Sequence, residues 1–307
     1  MSSLVEMSQS RATVLFITGC VTFPGALLLL QRVWFNTAVG AQIRKKLGFT
    51  DKDCTDISVK AISAGQAVLA SVAGLIVCSN CYRDVMYDSH PMTLDYAWFG
   101  IPYFVYDTFA MFYASEMSPT VDKRSSMVGR FFKFIFRSPI IVIHHMILAP
   151  IGFGVLVFAR DGIRNGDFFM GVVYMMEIST PFVSFRYILS KFKLKSSPIY
   201  NLNGIMMIVL FPVFRIASIF YTANLYGQQS GMTFMEVLWE MPWGWKVIFM
   251  AAIAPQIYWY SLMCNGLIKM LRPSSPISAP RVENGAKNGV ETSSPPRPNS
   301  TPRAKEE

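Results

Sequence analysis

Two adjacent histidines, His144 and His145, lie inside the apolar stretch IIVIHHMILAP. Histidine titrates near neutral pH, and a carboxylate bonded to the far nitrogen of the imidazole fixes the tautomer that can take up a proton. Two carboxylates in neighbouring apolar stretches can fill that role, Asp107 in YFVYDTFAMF and Glu177 in YMMEISTPF. This set indicates acid–base or acyl-transfer chemistry, so we predict His144, His145, Glu177 and Asp107 as catalytic residues.

A buried cation is predicted beside these groups, because Arg215 stands in the apolar stretch FPVFRIASIF. Ionisable side chains at bilayer depth are costly and usually functional. Glu177, Thr180 and Ser184 recur at i, i+3 and i+7, which places them on one face of a helix. The alternative is a structural network in which Arg215 pairs with Glu177 or Asp107. The residues predicted to bind substrate are Arg215, Thr180, Ser184, Tyr103 and Gln256.

Apolar windows long enough to cross a membrane must position these residues. Hydrophobic residues make up 52% of the 307-residue chain and charged residues 15%, against about a quarter charged in soluble domains. A membrane helix needs about 20 consecutive apolar residues. The predicted fold is therefore an all-α, polytopic membrane helix bundle with about seven transmembrane helices. The windows are 12–31, 61–79, 97–115, 139–159, 167–189, 204–226 and 246–270.

The connections between these windows alternate in basic charge. Lys and Arg total 4 in the odd-numbered connections and 21 in the even-numbered ones, with Arg186 near the end of the fifth window included in the latter. Cytosolic loops are rich in these residues, so the amino terminus is predicted to be lumenal and the carboxyl terminus cytosolic. At 1.5 Å per residue, all the ionisable side chains then lie about 8–17 Å from the cytosolic side, where they can share one pocket. The net charge of +9 belongs to the connections, so no nucleic-acid partner is expected.

Three regions are predicted along the chain. Residues 1–31 form a lumenal amino terminus and the first helix, and residues 32–270 form a multi-span domain. Residues 271–307 are rich in Pro, Ser and Asn without apolar periodicity, which predicts a disordered cytosolic tail. The sequon at Asn299 lies in this tail, so it is expected to stay unmodified.

Several other kinds of site are disfavoured by the sequence. Cys78 and Cys81 have metal-ligand spacing, but no second Cys or His pair stands near them, so no metal site is predicted. A diiron site needs more than the 3 histidines present. A seven-span receptor shares the topology, but its Asp/Glu-Arg-Tyr and Asn-Pro-x-x-Tyr signatures are absent from the sequence. No bound cofactor is expected.

The chain resembles the TLC domain proteins, the TRAM, Lag and CLN homology group, from about residue 20 to about residue 270. The similarity is closest to the small, ceramide-synthase-like branch. It lies in ordered motifs on successive spans: VTFPG, GIPYFVYDTFAMF, IHHMI, NGDFFMG, MEISTPFVS, Asn203-Gly204 and APQIYWY.

This resemblance implies a helix bundle in the endoplasmic reticulum or a related membrane, the Golgi or the plasma membrane. It also implies N-acylation of a sphingoid base with acyl-CoA as co-substrate, membrane lipids as partners, and homo- or hetero-oligomers with related membrane proteins. The family's Lag motif has a His-His pair, matched by His144 and His145, and then a His-Asp pair. Met176 and Glu177 stand at the second pair, and Thr180 stands where a further Asp falls.

The missing motif histidine leaves two functions open. One is acyl transfer by the remaining pair, since loss of one general acid or base costs about 10²–10⁴ in rate without abolishing catalysis. The other is a non-catalytic TLC-domain protein that binds lipids or regulates membrane lipid composition.

Overall fold

Every regular element in the described part of the chain is a helix. The computed structural model describes residues 7–121, 123–140, 142, 144–146, 154 and 166–271. Its helices are α1 Gln9–Asn36, α2 Ala38–Leu47, α3 Asp51–Asn80, α4 Met92–Glu116, α5 Met127–Arg137, α6 Asp167–Met175, α7 Thr180–Lys191, α8 Pro198–Pro212, α9 Ser218–Ser230, α10 Phe234–Glu240 and α11 Trp243–Leu271. A 3₁₀ turn, Met176–Ser179, joins α6 to α7, and a π turn, Val213–Ala217, joins α8 to α9.

The all-α polytopic bundle predicted from the sequence is confirmed. Among the described residues, five helices are long and apolar enough to cross a membrane: Gln9–Asn36, Asp51–Asn80, Asp167–Lys191, Pro198–Ser230 and Trp243–Ile268. The third window corresponds to α4, which has 25 residues. It is less apolar than these five helices because it contains several tyrosines and Asp107. The fourth window falls mostly outside the described residues. Around the histidines, residues 139, 140, 142 and 144–146 are helical.

Capping residues mark the starts of two helices, α3 and α10. Thr50 and Asp53 form a capping box at the start of α3, in which each side chain bonds to the backbone N–H of the other. Thr233 and Glu236 do the same at the start of α10. The hydrogen bonds from Thr233 lower the pKa of the Glu236 carboxyl. Capping satisfies N–H groups that have no partner inside the helix.

Helix α3 is the centre of the bundle and packs against α1, α4, α6 and α7. Small buried residues, including Ala67, Ala70, Ala73 and Gly74, allow its neighbours to approach closely. A Cβ added to Gly74 would lie 2.6 Å from the backbone oxygen of Gly171 and 2.7 Å from the backbone nitrogen of Met175. The backbones of α3 and α6 therefore touch directly above the turn that carries Glu177.

We predict that Gly74→Ala destabilises the protein. The added methyl group meets backbone that cannot move aside, and overpacking of this kind costs about 1–3 kcal/mol. The matched control is Gly65→Ala on the same helix, where an added Cβ meets nothing within 4 Å. The midpoint of thermal unfolding in detergent should fall for Gly74→Ala and stay level or rise for Gly65→Ala. Equal midpoints would contradict the direct contact between α3 and α6.

Polar contacts hold α4 in place between α3 and α6. The side-chain amide of Gln66 donates to the Tyr96 hydroxyl at 2.8 Å. The Tyr174 hydroxyl donates to the backbone oxygen of Thr93, also at 2.8 Å. The rings of Tyr96 and Tyr174 pack edge to face, with centroids 4.8 Å apart. These contacts fix the height of α4, and hence of Asp107, relative to the fifth span.

Candidate functional site

Arg215 is the centre of a buried polar cluster that joins three spans. Its Nε donates to Ser179 Oγ at 2.9 Å, and its Nη1 donates to Gln256 Oε1 at 3.3 Å. Its Nη2 donates to Thr180 Oγ1 at 2.6 Å and to Glu177 Oε1 at 3.3 Å. The side chain is only 9% exposed. One guanidinium on the sixth span therefore binds groups from the fifth and seventh spans, as its planar set of five donors allows.

Two breaks in the helical pattern bring this cluster together. Glu177 and Ser179 lie on the 3₁₀ turn, where they point about 120° apart around the axis instead of about 160° in an α-helix. Arg215 lies on the π turn directly after Pro212. Proline has no N–H and crowds the carbonyl four residues earlier, so the α-helical hydrogen bonds are interrupted there. Both breaks turn polar side chains towards the same point inside the bundle.

Asp107 and His145 form a second buried pair, between α4 and the histidine segment at 139–146. His145 Nδ1 lies 3.2 Å from Asp107 Oδ2, with the two side chains 12% and 7% exposed. The atoms are within ion-pair distance but are not aligned as a hydrogen bond, and Nδ1 has no hydrogen-bond partner among the described residues. Catalytic hydrogen bonds are often poorly aligned before substrate binds. The carboxylate is close enough to orient the imidazole.

His144 lies between the two polar groups. Its ring packs edge to face against Trp259 on α11, with centroids 5.1 Å apart. It is close enough to Arg215 and Glu177 for their charges to act on it. The His144 and His145 centroids are 5.8 Å apart. The five ionisable residues predicted on four successive spans therefore face one region of the bundle.

The structure gives the two carboxylates different partners, a choice that the sequence left open. Glu177 accepts hydrogen bonds from Arg215 and from Thr180, the latter at 2.6 Å, so it belongs to the arginine cluster. Asp107 is the carboxylate next to a histidine. Ser184 is buried one turn beyond Thr180. Tyr103 is buried one turn before Asp107 on α4, and its ring packs 5.2 Å from that of Phe23 on α1.

Three residues of the site were missed by the sequence reasoning. Ser179 binds Arg215, Trp259 packs on His144, and Phe211 lies with its ring centroid 5.2 Å from the Arg215 guanidinium. Ser179 stands two residues from Glu177, and a regular α-helix would place these two residues on nearly opposite faces. Phe211 precedes Arg215 by four residues, a spacing at which aromatic and cationic side chains commonly meet on a helix.

Two surface cavities lie apart from these groups. One, of about 840 Å³, is lined by Thr50, Asp51 and residues of the connection after α4. The other, of about 590 Å³, is an apolar groove between α1 and α4 that includes Phe16, Cys20 and Phe109. None of the nine predicted site residues lines either cavity.

The sequence model of the TLC domain matches residues 56–265. The chain belongs to the TLC domain family. The match contains all the predicted site residues, from Tyr103 to Gln256, and it confirms the resemblance to the TLC domain proteins. No solved structure matches the chain. Membership of the TLC domain family supports a function connected with membrane lipids, and the spans make this TLC domain protein an integral membrane protein.

Proposed function

We propose that this TLC domain protein is a ceramide-synthase-like enzyme that N-acylates a sphingoid base with acyl-CoA. The observation that carries the proposal is the buried Asp107–His145 pair, with its 3.2 Å contact, inside a TLC domain. A buried imidazole beside a carboxylate has the arrangement of a general base and its orienting group.

Each ionisable residue of the site has one role in the proposed reaction. His145 takes a proton from the amine of the sphingoid base, and the amine nitrogen attacks the thioester carbonyl of acyl-CoA. The carbon–sulfur bond breaks, and coenzyme A leaves as a thiol with the proton that His145 returns. Asp107 orients His145 and stabilises its protonated form. His144 flanks the reacting groups, and Glu177 holds Arg215.

The arginine cluster is proposed to hold the polar head of the lipid. Arg215 is a strong donor to oxygen atoms, and Thr180, Ser184 and Gln256 lie on the same side of the bundle as further hydrogen-bonding groups. We place Tyr103 along the hydrocarbon chain, since it is buried among apolar side chains.

We further propose that the protein lies in the endoplasmic reticulum, with a lumenal amino terminus and a cytosolic carboxyl terminus. The support is the alternation of basic residues, 4 against 21, across the predicted connections. The prediction is that Asn299 carries no glycan and that an epitope placed at the tail is stained when only the plasma membrane is permeabilised. A glycosidase-sensitive shift that disappears in Asn299→Gln would overturn this orientation.

The direct test of the enzymatic proposal uses purified protein in detergent with acyl-CoA and sphinganine. We predict that dihydroceramide forms and accumulates with time, as measured by mass spectrometry. The control is the double variant His144→Ala/His145→Ala, which should reduce the product to background. No product from the wild-type protein, or equal product from the double variant, would refute the enzymatic proposal.

A non-catalytic lipid-binding or regulatory function is the second candidate. It is favoured by Met176, which stands at the motif histidine, and by the engagement of Glu177 with Arg215 and Thr180. It predicts a lipid that co-purifies with the protein and a cellular lipid phenotype that survives His144→Ala/His145→Ala. A phenotype that depends strictly on the histidines would contradict it.

A further inference from the structure

Helix α5, Met127–Arg137, shows three distinct faces between α4 and the histidine segment. The inward face carries Phe131 and Phe134, whose rings lie 5.1 Å and 5.8 Å from that of Phe112 on α4. Ser126 caps its first turn by accepting from the N–H of Gly129. Among the described residues, these contacts fix one side of α5 to the bundle.

The second face of α5 is apolar and exposed. Phe132 and Phe136 are 53% and 80% exposed, and their i, i+4 spacing places them side by side. Contiguous aromatic side chains are rarely left in water, and such a face marks an interaction surface. In a membrane protein the available apolar medium is the bilayer.

The third face of α5 is cationic. Lys133 and Arg137 are exposed and also lie at i, i+4, next to the aromatic face. Among the described residues neither forms an ion pair, whereas Arg130 on the same helix binds Glu116 at 2.8 Å. Two cations beside two exposed aromatic rings form the pattern of a helix that lies in the plane of a membrane surface.

We propose that α5 lies in the membrane–water interface and binds anionic phospholipid headgroups through Lys133 and Arg137. Phe132 and Phe136 enter the acyl region, while the two cations bind phosphate or carboxylate groups above them. Its place in the chain requires a position at the surface, because it follows the end of α4 and only Ser138 separates it from the helical residues that begin at 139. This site is independent of the acyl-transfer proposal.

The position of α5 affects the depth of the two histidines. α5 ends at Arg137, and His144 follows that residue by only seven positions in the chain. A helix held at the headgroups by Lys133 and Arg137 therefore sets the depth of His144 and His145 in the bilayer. Anionic lipid would act on the site as a positioning partner.

The test is native mass spectrometry of the full-length, delipidated protein titrated with phosphatidylserine and, separately, with phosphatidylcholine. We expect the wild type to prefer phosphatidylserine. In Lys133→Gln/Arg137→Gln, phosphatidylserine binding should fall roughly 30-fold, since each basic residue near an anionic surface contributes about 1 kcal/mol.

Two further variants make the outcome decisive. Lys193→Gln/Lys195→Gln removes the same charge from another exposed connection and should keep the preference. Lys133→Arg/Arg137→Lys keeps the charge and should also keep the preference for phosphatidylserine. An unchanged preference in Lys133→Gln/Arg137→Gln would refute the site. The site would also be refuted if free coenzyme A displaced phosphatidylserine from the wild type but not from Lys133→Gln/Arg137→Gln. Lys133 and Arg137 would then bind the phosphates of acyl-CoA.

Discussion

His145→Ala is expected to lower the turnover of sphinganine to dihydroceramide by about 10²–10⁴-fold, the loss typical of a missing general base. The imidazole of His145 is the one that lies 3.2 Å from a carboxylate, Asp107. Asp107→Asn keeps the size of that side chain but removes its charge, so we expect a smaller loss of turnover. The rate should be measured at saturating acyl-CoA, so that the effect falls on kcat.

His144→Ala is the matched control for this prediction. His144 packs against Trp259 and has no carboxylate at ion-pair distance among the described side chains, so its loss should reduce turnover much less. Unfolding midpoints measured on the same preparations separate loss of catalysis from loss of structure. If His144→Ala were inactive and His145→Ala active, the roles of the two histidines would be reversed.

Arg215→Met is expected to cause the largest loss of stability, about 3–5 kcal/mol, which is typical when one partner of a buried ion pair is removed. The substitution leaves Glu177 without its cation and removes the donors that Ser179, Thr180 and Gln256 accept from. The free energy of unfolding can be measured by increasing the SDS content of mixed micelles.

Two variants show whether this loss comes from the buried cluster. Arg11→Met removes an exposed ion pair with Asp95, in which Arg11 is 56% exposed, and should cost at most about 1 kcal/mol. Adding Glu177→Gln to Arg215→Met removes the unpaired charge and should recover part of the stability. Equal losses for Arg11→Met and Arg215→Met would contradict a structural role of the Arg215 cluster.

The sequence predicted the five spans found among the described residues and the ionisable residues buried in the bundle, because long apolar windows have few alternatives in a membrane. The pairing of those residues could not be predicted. Glu177 and Asp107 were equally good partners for a histidine, since the sequence does not give the order of helices in space. The structure pairs Asp107 with His145 and leaves Glu177 to Arg215.

The 3₁₀ turn and the π turn could not be predicted from the periodic pattern of the sequence either. A regular 3.6-residue repeat places Ser179 away from Glu177, and only the 3₁₀ turn brings both to one guanidinium. Pro181 and Pro212 marked the neighbourhoods of these breaks. Transmembrane helices tolerate proline generally, however, so its presence alone does not specify a 3₁₀ or a π turn.

The π turn at Val213–Ala217 gives the sixth span one residue more than a continuous α-helix would hold over the same height. Deleting Val213 would therefore let the span close into a regular helix without shortening its reach across the bilayer. Residues beyond the turn would keep their places, but Arg215, inside it, would stand one residue closer to Pro212. Its side chain would then move away from Glu177 and Gln256. A single-codon deletion here would erase the cluster while changing no other side chain, so the length of this segment is under as much constraint as its composition.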